Sequence, residues 1–228
     1  MKKSQVSGNV SSLAAKKYVI LSILFLLPIS IYLFFAMGVN NFVKLPVVSE
    51  NVEELSGFVN LEGKEIAMGD KISVLLFFGT NIENRKANAF NLAHKIYKKN
   101  YQFEEFQFVT LITEDQIEQA KDLKEELSEI EDPKNWKFAV GSPETIEALF
   151  YSLQTKGALD ENFSTNIVFV VDKDRNLRGR TDDEDYGMLY GYDASNYAEI
   201  NNKMSDDLKV VLAEYRLALK KYKTEREI

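Results

Sequence analysis

Runs and periods of apolar residues along the 228-residue chain predict most of its elements. The stretch from Tyr18 to Met37 is apolar and uncharged, and it is long enough for the ~20 residues that cross a hydrocarbon core. Two short alternating runs flank Glu62-Gly63, which predicts a hairpin because glycine tolerates a positive φ in the turn. Further apolar runs predict buried strands: SVLLFFG at 73–79, FQFVTLI at 106–112, WKFAV at 136–140, and NIVFVVD at 166–172, paired with LRGR at 177–180.

Between the strands, apolar residues recur at three- and four-residue steps, as they do on one face of a helix. Helices are predicted over 85–100, 114–131 and 198–222, and the Ser-Pro-Glu segment at 142–144 starts a further helix with a capping serine. The order of elements is hairpin, β, α, β, α, β, α, β, β, α. It predicts an α/β fold, a thioredoxin-like three-layer sandwich with an N-terminal β-hairpin and one transmembrane helix before it. The acidic segment 181–193 is predicted to be an inserted loop.

The first apolar stretch is interpreted as a retained membrane anchor. Signal peptides usually have only about 7–15 apolar residues, although the small-x-small triplet at 36–38 leaves a cleaved signal peptide as the alternative. Four lysines and no acid precede the stretch, so residues 1–17 are predicted to lie in the cytoplasm. The predicted division is a tail at 1–17, the anchor at 18–37, a juxtamembrane linker at 38–56, the folded domain at 57–222 and a C-terminal tail at 223–228.

Charge and composition exclude several function classes. The formal net charge is −7, and the part beyond the anchor is more acidic still because the four lysines before the anchor are not in it. An acidic domain argues against nucleic acid and against docking on anionic lipid. The chain has no cysteine, so thiol redox chemistry and disulfides are excluded. It has one histidine, and no Ser-His-Asp set is recognisable in the sequence. The sequence therefore predicts a protein that is not an enzyme and has no cofactor.

Several landmarks together resemble the Sco/SenC family, the thioredoxin-like copper chaperones of cytochrome c oxidase assembly. They are the N-terminal anchor, the Gly63-Lys64 turn, LLFFGT running into a polar loop, Trp-Lys-Phe at 136–138 before Gly-Ser at 141–142, FSTNIVFVVDKDRNLRGR, and a terminal helix ending in VVLAEY. The resemblance covers residues 55–217. It implies a single-pass protein of the inner (cytoplasmic) membrane, with its domain in the periplasm and a protein partner in respiratory complex assembly.

The chain departs from this family at the metal ligands. Members that bind copper carry Cys-x-x-x-Cys after the first core strand and a histidine just before the Ser-Thr of the late strand. By this resemblance, the cysteine positions fall at Asn81 and Arg85, and the histidine position falls at Phe163. None of these residues offers the thiolate or imidazole that copper prefers. The resemblance thus implies copper in ligand-bearing relatives and no metal here.

The degenerate motif is a candidate partner or ligand surface, formed by Asn81, Asn84, Arg85, Phe163 and Ser164. Asparagines at the start of a helix are interpreted as caps for its free amides. The alternative is an anion or carboxylate pocket, in which the helix amides and the Arg85 guanidinium face one ligand.

Three other features are given a structural interpretation. His94 is expected on the surface, and the oxygen-rich VDKDRN at 171–176 is expected to be a hairpin turn because it lacks the glycine and final glutamate of a calcium loop. The acidic run at 182–185 is expected to be solvated, with the neighbouring tyrosines at 186, 190 and 192 as a candidate partner-binding loop.

Two functions from different classes follow. The first is a non-redox assembly or scaffolding factor at the respiratory membrane. The second is a sensor of a small ligand or anion that uses the degenerate motif cleft. Copper delivery through ligands other than those of the family is a third, weaker hypothesis.

Overall fold

The computed structural model describes residues 8–37 and 44–226, which fall into two compact units divided between residues 42 and 43. The first unit contains one helix, α1 (Gly8–Met37). Within α1, Lys16–Phe34 is 19 residues long, apolar enough to cross a membrane, and unburied. By length and composition it is a candidate membrane span, and an N-terminal signal sequence would have the same properties.

The second unit is built on a central sheet. Its strands are β1 (Val47–Ser49), β2 (Ile72–Gly79), β3 (Phe106–Ile112), β4 (Trp136–Val140), β5 (Ile167–Val171) and β6 (Leu177–Arg178), in the order β1-β6-β5-β2-β3-β4. A separate hairpin pairs β7 (Arg180–Asp183) with β8 (Gly187–Leu189), and β9 (Tyr192–Asp193) pairs with β5. Strands β2, β3 and β4 are parallel, whereas β5 runs antiparallel to β2 and β6. The predicted strands and the final hairpin are confirmed.

Helices cover both faces of this sheet. They are α2 (Ile82–Leu92), which continues through a π-helical turn (Ala93–Tyr97) into α3 (Lys98–Asn100); α4 (Ile117–Ser128); α5 (Pro143–Ser152); and α6 (Tyr197–Glu199), which continues through a second π-helical turn (Ile200–Met204) into α7 (Ser205–Arg226).

Successive β2 side chains point to opposite faces of the sheet. Leu76 and Phe78 pack with α2, α4 and α7, whereas Leu75 and Phe77 pack with α5. The three-layer α/β arrangement is confirmed.

Residues 44–56, assigned to a linker from their sequence, belong to the folded unit. Strand β1 pairs with β6, and Leu45, Val52 and Leu55 are buried in the two cores. These side chains enter the core one at a time from irregular backbone, so they produce no period in the sequence. Residues 38–43 of the predicted linker lie outside the described residues. At the other end α7 extends to Arg226, into the predicted C-terminal tail.

The predicted N-terminal hairpin is reduced to single bridges. Gly63 has the expected positive φ, +76°, and Val59 bridges Glu65 across the turn. Val59 also bridges Val140 at the end of β4. The segment is therefore held by the edge of the main sheet rather than by a ladder of its own.

The acidic segment 181–193 is structured, which corrects its interpretation as an inserted loop. Asp183 is buried, and its Oδ1 accepts a hydrogen bond from Lys203 Nζ at 2.8 Å. Tyr192 is also buried, and its hydroxyl donates to Asp207 Oδ2 at 2.8 Å. Burial and the adjacent Asp207 carboxylate raise the pKa of Tyr192. The partners come from the later helices, so the charge run alone did not indicate them.

Candidate functional site

The candidate site lies where β2 ends and α2 begins, against the loop that precedes β5. Gly79 has a φ of +52°, and a Cβ there would lie 1.9 Å from the carbonyl oxygen of Asn162. The Thr80 amide donates to that same carbonyl at 3.0 Å. Because only glycine leaves room for this approach, the glycine that ends the first core strand positions the two halves of the site.

The Arg85 guanidinium connects α2 to the loop. Its Nη2 donates to Asp160 Oδ2 at 2.7 Å, its Nε donates to Ser164 Oγ at 3.1 Å, and its Nη1 donates to Asn166 Oδ1. The Arg85 side chain is only 14% exposed. Each guanidinium nitrogen has a protein acceptor, so Arg85 cross-links the two segments. We call Arg85, Asn88, Asp160, Ser164 and Asn166 the Arg85 cluster.

Asp160 organises the loop side of this cluster. Its Oδ1 accepts from the amides of Asn162 and Ser164, both at 2.9 Å, and the Ser164 hydroxyl donates to its Oδ2 at 2.8 Å. Burial alone would raise the pKa of the Asp160 carboxyl, but the hydrogen bonds from Ser164, Asn162 and Arg85 outweigh burial and lower the pKa. The carboxylate is therefore charged at neutral pH and serves as the counter-ion of the arginine.

Sequence reasoning missed Asn88, Asn166 and Asp160. Asn88 is buried, and its Nδ2 donates to Asn166 Oδ1 at 2.9 Å. A signal existed for Asn88, which lies three residues after Arg85 and therefore on the same helix face. Asp160 and Asn166 lie 75 and 81 residues from Arg85 in the chain, and no local pattern marks them.

The prediction that Asn81 and Asn84 cap the helix is wrong in detail. Asn81 occupies the N-cap position of α2, but its side chain makes no capping hydrogen bond. Its Oδ1 accepts instead from Asn84 Nδ2 at 2.7 Å, and the Ile82 amide reaches Gln116 Oε1 at 3.4 Å. The φ and ψ of Asn81, −136° and 45°, lie outside the extended region that N-cap residues usually adopt.

Phe163 and Ser164 are adjacent in the chain but have different surroundings. Phe163 has a φ of +55° and packs, half-buried, against the core on the α5 face. Ser164 is buried, and its hydroxyl accepts from Arg85 while it donates to Asp160. The structure therefore brings Arg85 and Ser164 together, keeps Asn81 and Asn84 as a separate pair, and turns Phe163 into the core.

A cleft of about 880 Å³ lies beside the site, along the carboxyl ends of the three parallel strands. Its lining includes Thr80 after β2, Thr113 after β3 and Ser142 after β4, together with Glu114 and Asp115. Hydrogen bonding from the Thr113 hydroxyl lowers the pKa of Asp115. Among the described residues that line the cleft there is no lysine or arginine, and Arg85 is occupied by Asp160. This geometry does not support an anion pocket.

The remaining candidate features have structural surroundings. His94 is exposed on the π-helical turn after α2. Asp172 accepts the amides of Asp174 and Asn176, both at 2.9 Å, and forms an ion pair with Arg178, as expected of a hairpin turn. Across residues 8–37 and 44–226 no three His, Cys, Asp or Glu side chains are grouped to hold a metal ion.

Comparison with known proteins places the fold. No protein-family model matches the sequence, and no curated protein matches it either. A candidate protein disulfide isomerase from Bacteroides thetaiotaomicron has a similar structure, with a TM-score of 0.50 and 11% identity, over 75% of this chain and 95% of that one.

Two structures of ScoI with copper bound are also similar. The Arabidopsis thaliana protein aligns with a TM-score of 0.44 and 14% identity, over 67% of this chain and 94% of that one. The Bradyrhizobium japonicum protein aligns with a TM-score of 0.45 and 10% identity, over 72% and 99%. The likeness at a TM-score of 0.50 agrees with the thioredoxin-like fold class predicted from the sequence, and similarity at 11% identity concerns the fold rather than the activity.

Proposed function

We propose that this protein is a membrane-anchored, non-redox relative of the Sco proteins that acts as an assembly or scaffolding factor at the respiratory membrane. The observation that carries the proposal is the Arg85 cluster. At a position where the family resemblance places a copper-binding cysteine, an arginine bonds the loop before β5 through three acceptors. A cross-link that copper supplies in ligand-bearing relatives is supplied here by an ion pair.

A site of this kind suits recognition better than chemistry. Every nitrogen of the Arg85 guanidinium already donates to a protein acceptor. The chain also has no thiol that could act as a nucleophile or a metal ligand. Asn84 is exposed on the adjoining surface, and Asp160 is 38% exposed. In the proposed role, this rigid polar surface contacts a protein partner, and α1 holds the domain at the outer face of the inner (cytoplasmic) membrane.

Copper binding tests the first half of this proposal. The full chain, purified in detergent, is expected to carry no stoichiometric Cu(I) or Cu(II). The triple variant Asn81→Cys, Arg85→Cys, Phe163→His restores the family's ligand types and is expected to gain about one copper. One tightly bound copper on the unsubstituted chain would contradict the proposal and favour delivery through other ligands.

Site-specific crosslinking tests the second half. A photoreactive residue in place of exposed Asn84 is expected to capture a respiratory-complex subunit in the native membrane. The same residue in place of Lys209, which is exposed on α7, is the matched control. Equal capture from both positions would contradict recognition through this surface.

The cleft favours a second candidate function, a small-ligand sensor. Ligands of open α/β sheets bind at the carboxyl ends of the strands, which is where the 880 Å³ cleft lies. Its acidic lining favours a neutral or cationic ligand over the anion first considered. A saturable, ligand-dependent rise in Tm that Ser142→Trp abolishes would support this function over the scaffold.

A further inference from the structure

A second pocket, separate from the Arg85 cluster, lies on the α5 side of the molecule. It has a volume of about 290 Å³ and lies between the end of α5, the start of β5, the β8–β9 segment and α6. We call it the Glu199 pocket, after the acid in its wall; its other principal lining residues are Phe150, Thr155, Phe169, Tyr186 and Tyr190. No member of the Arg85 cluster lines it.

Glu199 is a buried carboxylate without a cation. Its residue is 7% exposed, and Oε1 accepts a hydrogen bond from the Asp193 amide at 2.8 Å. Among the described residues no lysine or arginine lies within ion-pair distance of it, in contrast to the buried Asp172, which pairs with Arg178. A mostly buried carboxylate that has one amide donor and no counter-ion retains the capacity to accept hydrogen bonds from a cationic group that enters the pocket.

Thr155 is a second, independent group with unmet hydrogen bonding in the same wall. Its Oγ1 is buried and has no hydrogen-bond partner. Buried polar atoms are nearly always paired, so the Thr155 hydroxyl has unused hydrogen-bonding capacity in a residue that lines the pocket. A hydroxyl can accept a hydrogen bond from an N–H donor, and so can a carboxylate. One cationic N–H group could therefore serve both Thr155 and Glu199.

Four aromatic residues contribute to the wall: Phe150, Phe169, Tyr186 and Tyr190. The rings of Phe150 and Phe169 meet edge to face with centroids 5.9 Å apart, and Tyr186 stands 62% exposed at the rim. Aromatic faces attract cations through their ring quadrupole. Lys203 already uses the Tyr186 ring in this way, with its Nζ 5.2 Å from the centroid. An acid that shares a pocket with aromatic rings is a combination suited to an ammonium or guanidinium group.

We propose that the Glu199 pocket binds an organic cation, an ammonium or guanidinium group on an apolar stem. The cation pairs with the Glu199 carboxylate and donates to Thr155 Oγ1, and the stem packs against the aromatic wall. The volume suits an alkylamine chain of the length of a lysine side chain. The same chemistry is offered by a free amine and by a lysine side chain of a partner protein. The proposal does not rest on the function proposed above.

Lys156 also lines the pocket and supplies an internal check. It is exposed, and no acid among the described residues lies within ion-pair distance of it. A like charge at the rim opposes a cationic ligand, so its removal is expected to strengthen binding. A merely structural role for Glu199 would not produce opposite effects from these two substitutions.

The test is isothermal titration of the full chain in detergent with n-pentylammonium chloride. Saturable binding is expected. Glu199→Gln, which keeps the acceptor for the Asp193 amide, is expected to weaken it at least about tenfold, and Lys156→Gln is expected to strengthen it about two- to threefold. n-Pentanol, the neutral analogue, is expected not to compete. Tyr186→Leu, on the exposed rim, is the second weakening variant if Glu199→Gln fails to fold.

A further titration identifies the source of the cation. Binding of N-acetyl-lysine methylamide as well as pentylammonium assigns the pocket to a lysine side chain, whereas binding of pentylammonium alone assigns it to a free amine. No saturable binding of either cation to the folded chain would overturn the proposal. Equal affinity of the unsubstituted chain and Glu199→Gln, or equal affinity for n-pentanol, would overturn it too.

Discussion

Arg85 and Arg178 both cross-link segments that are distant in the chain, but their surroundings differ. Arg178 is 6% exposed and bonds two carboxylates, Asp172 and Glu214, which are 3% and 12% exposed. It also donates to the Leu45 carbonyl. Burial opposes the charge, but hydrogen bonds and charge interactions with Glu214 and Asp172 outweigh it and raise the pKa of Arg178. This arginine ties the N-terminal segment, the final hairpin and α7 into one core.

Arg85 has one carboxylate partner, Asp160, and that partner is 38% exposed. Its other acceptors are the neutral side chains of Ser164 and Asn166. A half-solvated pair is worth less to stability than a buried one, because water still screens the carboxylate. The comparison therefore indicates that Arg178 stabilises the fold, whereas Arg85 mainly fixes the shape of a surface. The four predictions below test this difference.

The largest effect is expected for Arg178→Met. It leaves two buried carboxylates without a cation, so the free energy of unfolding should fall by about 3–5 kcal/mol. Denaturant unfolding of the full chain in detergent measures it. The control is Lys209→Met, which removes an exposed ion pair with Asp206 and should cost less than about 1 kcal/mol. Equal losses for the two variants would contradict the structural role of Arg178.

The next largest effect is expected for Gly79→Ala, which should lower the free energy of unfolding by about 2–3 kcal/mol. The new Cβ would meet the Asn162 carbonyl, and the backbone is held at positive φ. Gly63→Ala is the matched control. Gly63 also has a positive φ, +76°, but nothing lies within 4 Å of a Cβ there, so only backbone strain of about 1 kcal/mol is expected. If Gly63→Ala lost as much stability as Gly79→Ala, the close approach of the loop would not be the cause.

Arg85→Met is expected to cost about 1–2 kcal/mol, less than Arg178→Met, because the abandoned Asp160 carboxylate can be solvated. Arg85→Lys keeps the charge but cannot bond three acceptors at once, and it should recover only part of the loss. Unfolding of both variants under the conditions used for Arg178→Met checks the ranking. A loss from Arg85→Met as large as that from Arg178→Met would remove the distinction between the two clusters.

The smallest effect is a pH dependence. The folded-state pKa of Asp160 is lowered, so its contribution to stability is present above its unfolded pKa of about 3.9 and is lost as pH falls through the folded value. Asp160→Asn should therefore flatten the fall in Tm below about pH 4 and leave its slope between pH 5 and 7 unchanged. Identical acid slopes for the variant and the unsubstituted chain would contradict the assignment.

Much of the fold could be predicted from local pattern. The runs at β2 and β3 are apolar at almost every position because these strands are buried on both faces, and that density is visible without knowledge of the neighbours. The serine cap and the proline that start α5 could also be predicted from the sequence. The Ser142 hydroxyl accepts a hydrogen bond from the Thr145 amide. The burial of segment 44–56 could not be predicted from local pattern, because it depends on single side chains and on pairing with β6.

The candidate site divides in the same way. Asn81, Arg85 and Phe163 were found through a resemblance that compares positions in the chain. Asp160 and Asn166, which bond Arg85, were not found, because the choice of partner depends on which loop the sheet places beside α2. Asn81 was expected to cap the helix, yet it pairs with Asn84. Asparagine alone indicates a capacity for hydrogen bonds, and the backbone decides where they go.

The sequence by itself determined the order of the elements, the apolar helix near the N-terminus, the acidity of the domain and the absence of thiol chemistry. These properties belong to single residues or to local periods. Only the tertiary structure decided that Arg85 is occupied, that the acidic segment is a packed hairpin, and that Glu199 lies buried without a cation beside aromatic rings. Each of these depends on groups brought together across tens of residues by the sheet, and no local pattern encodes such contacts.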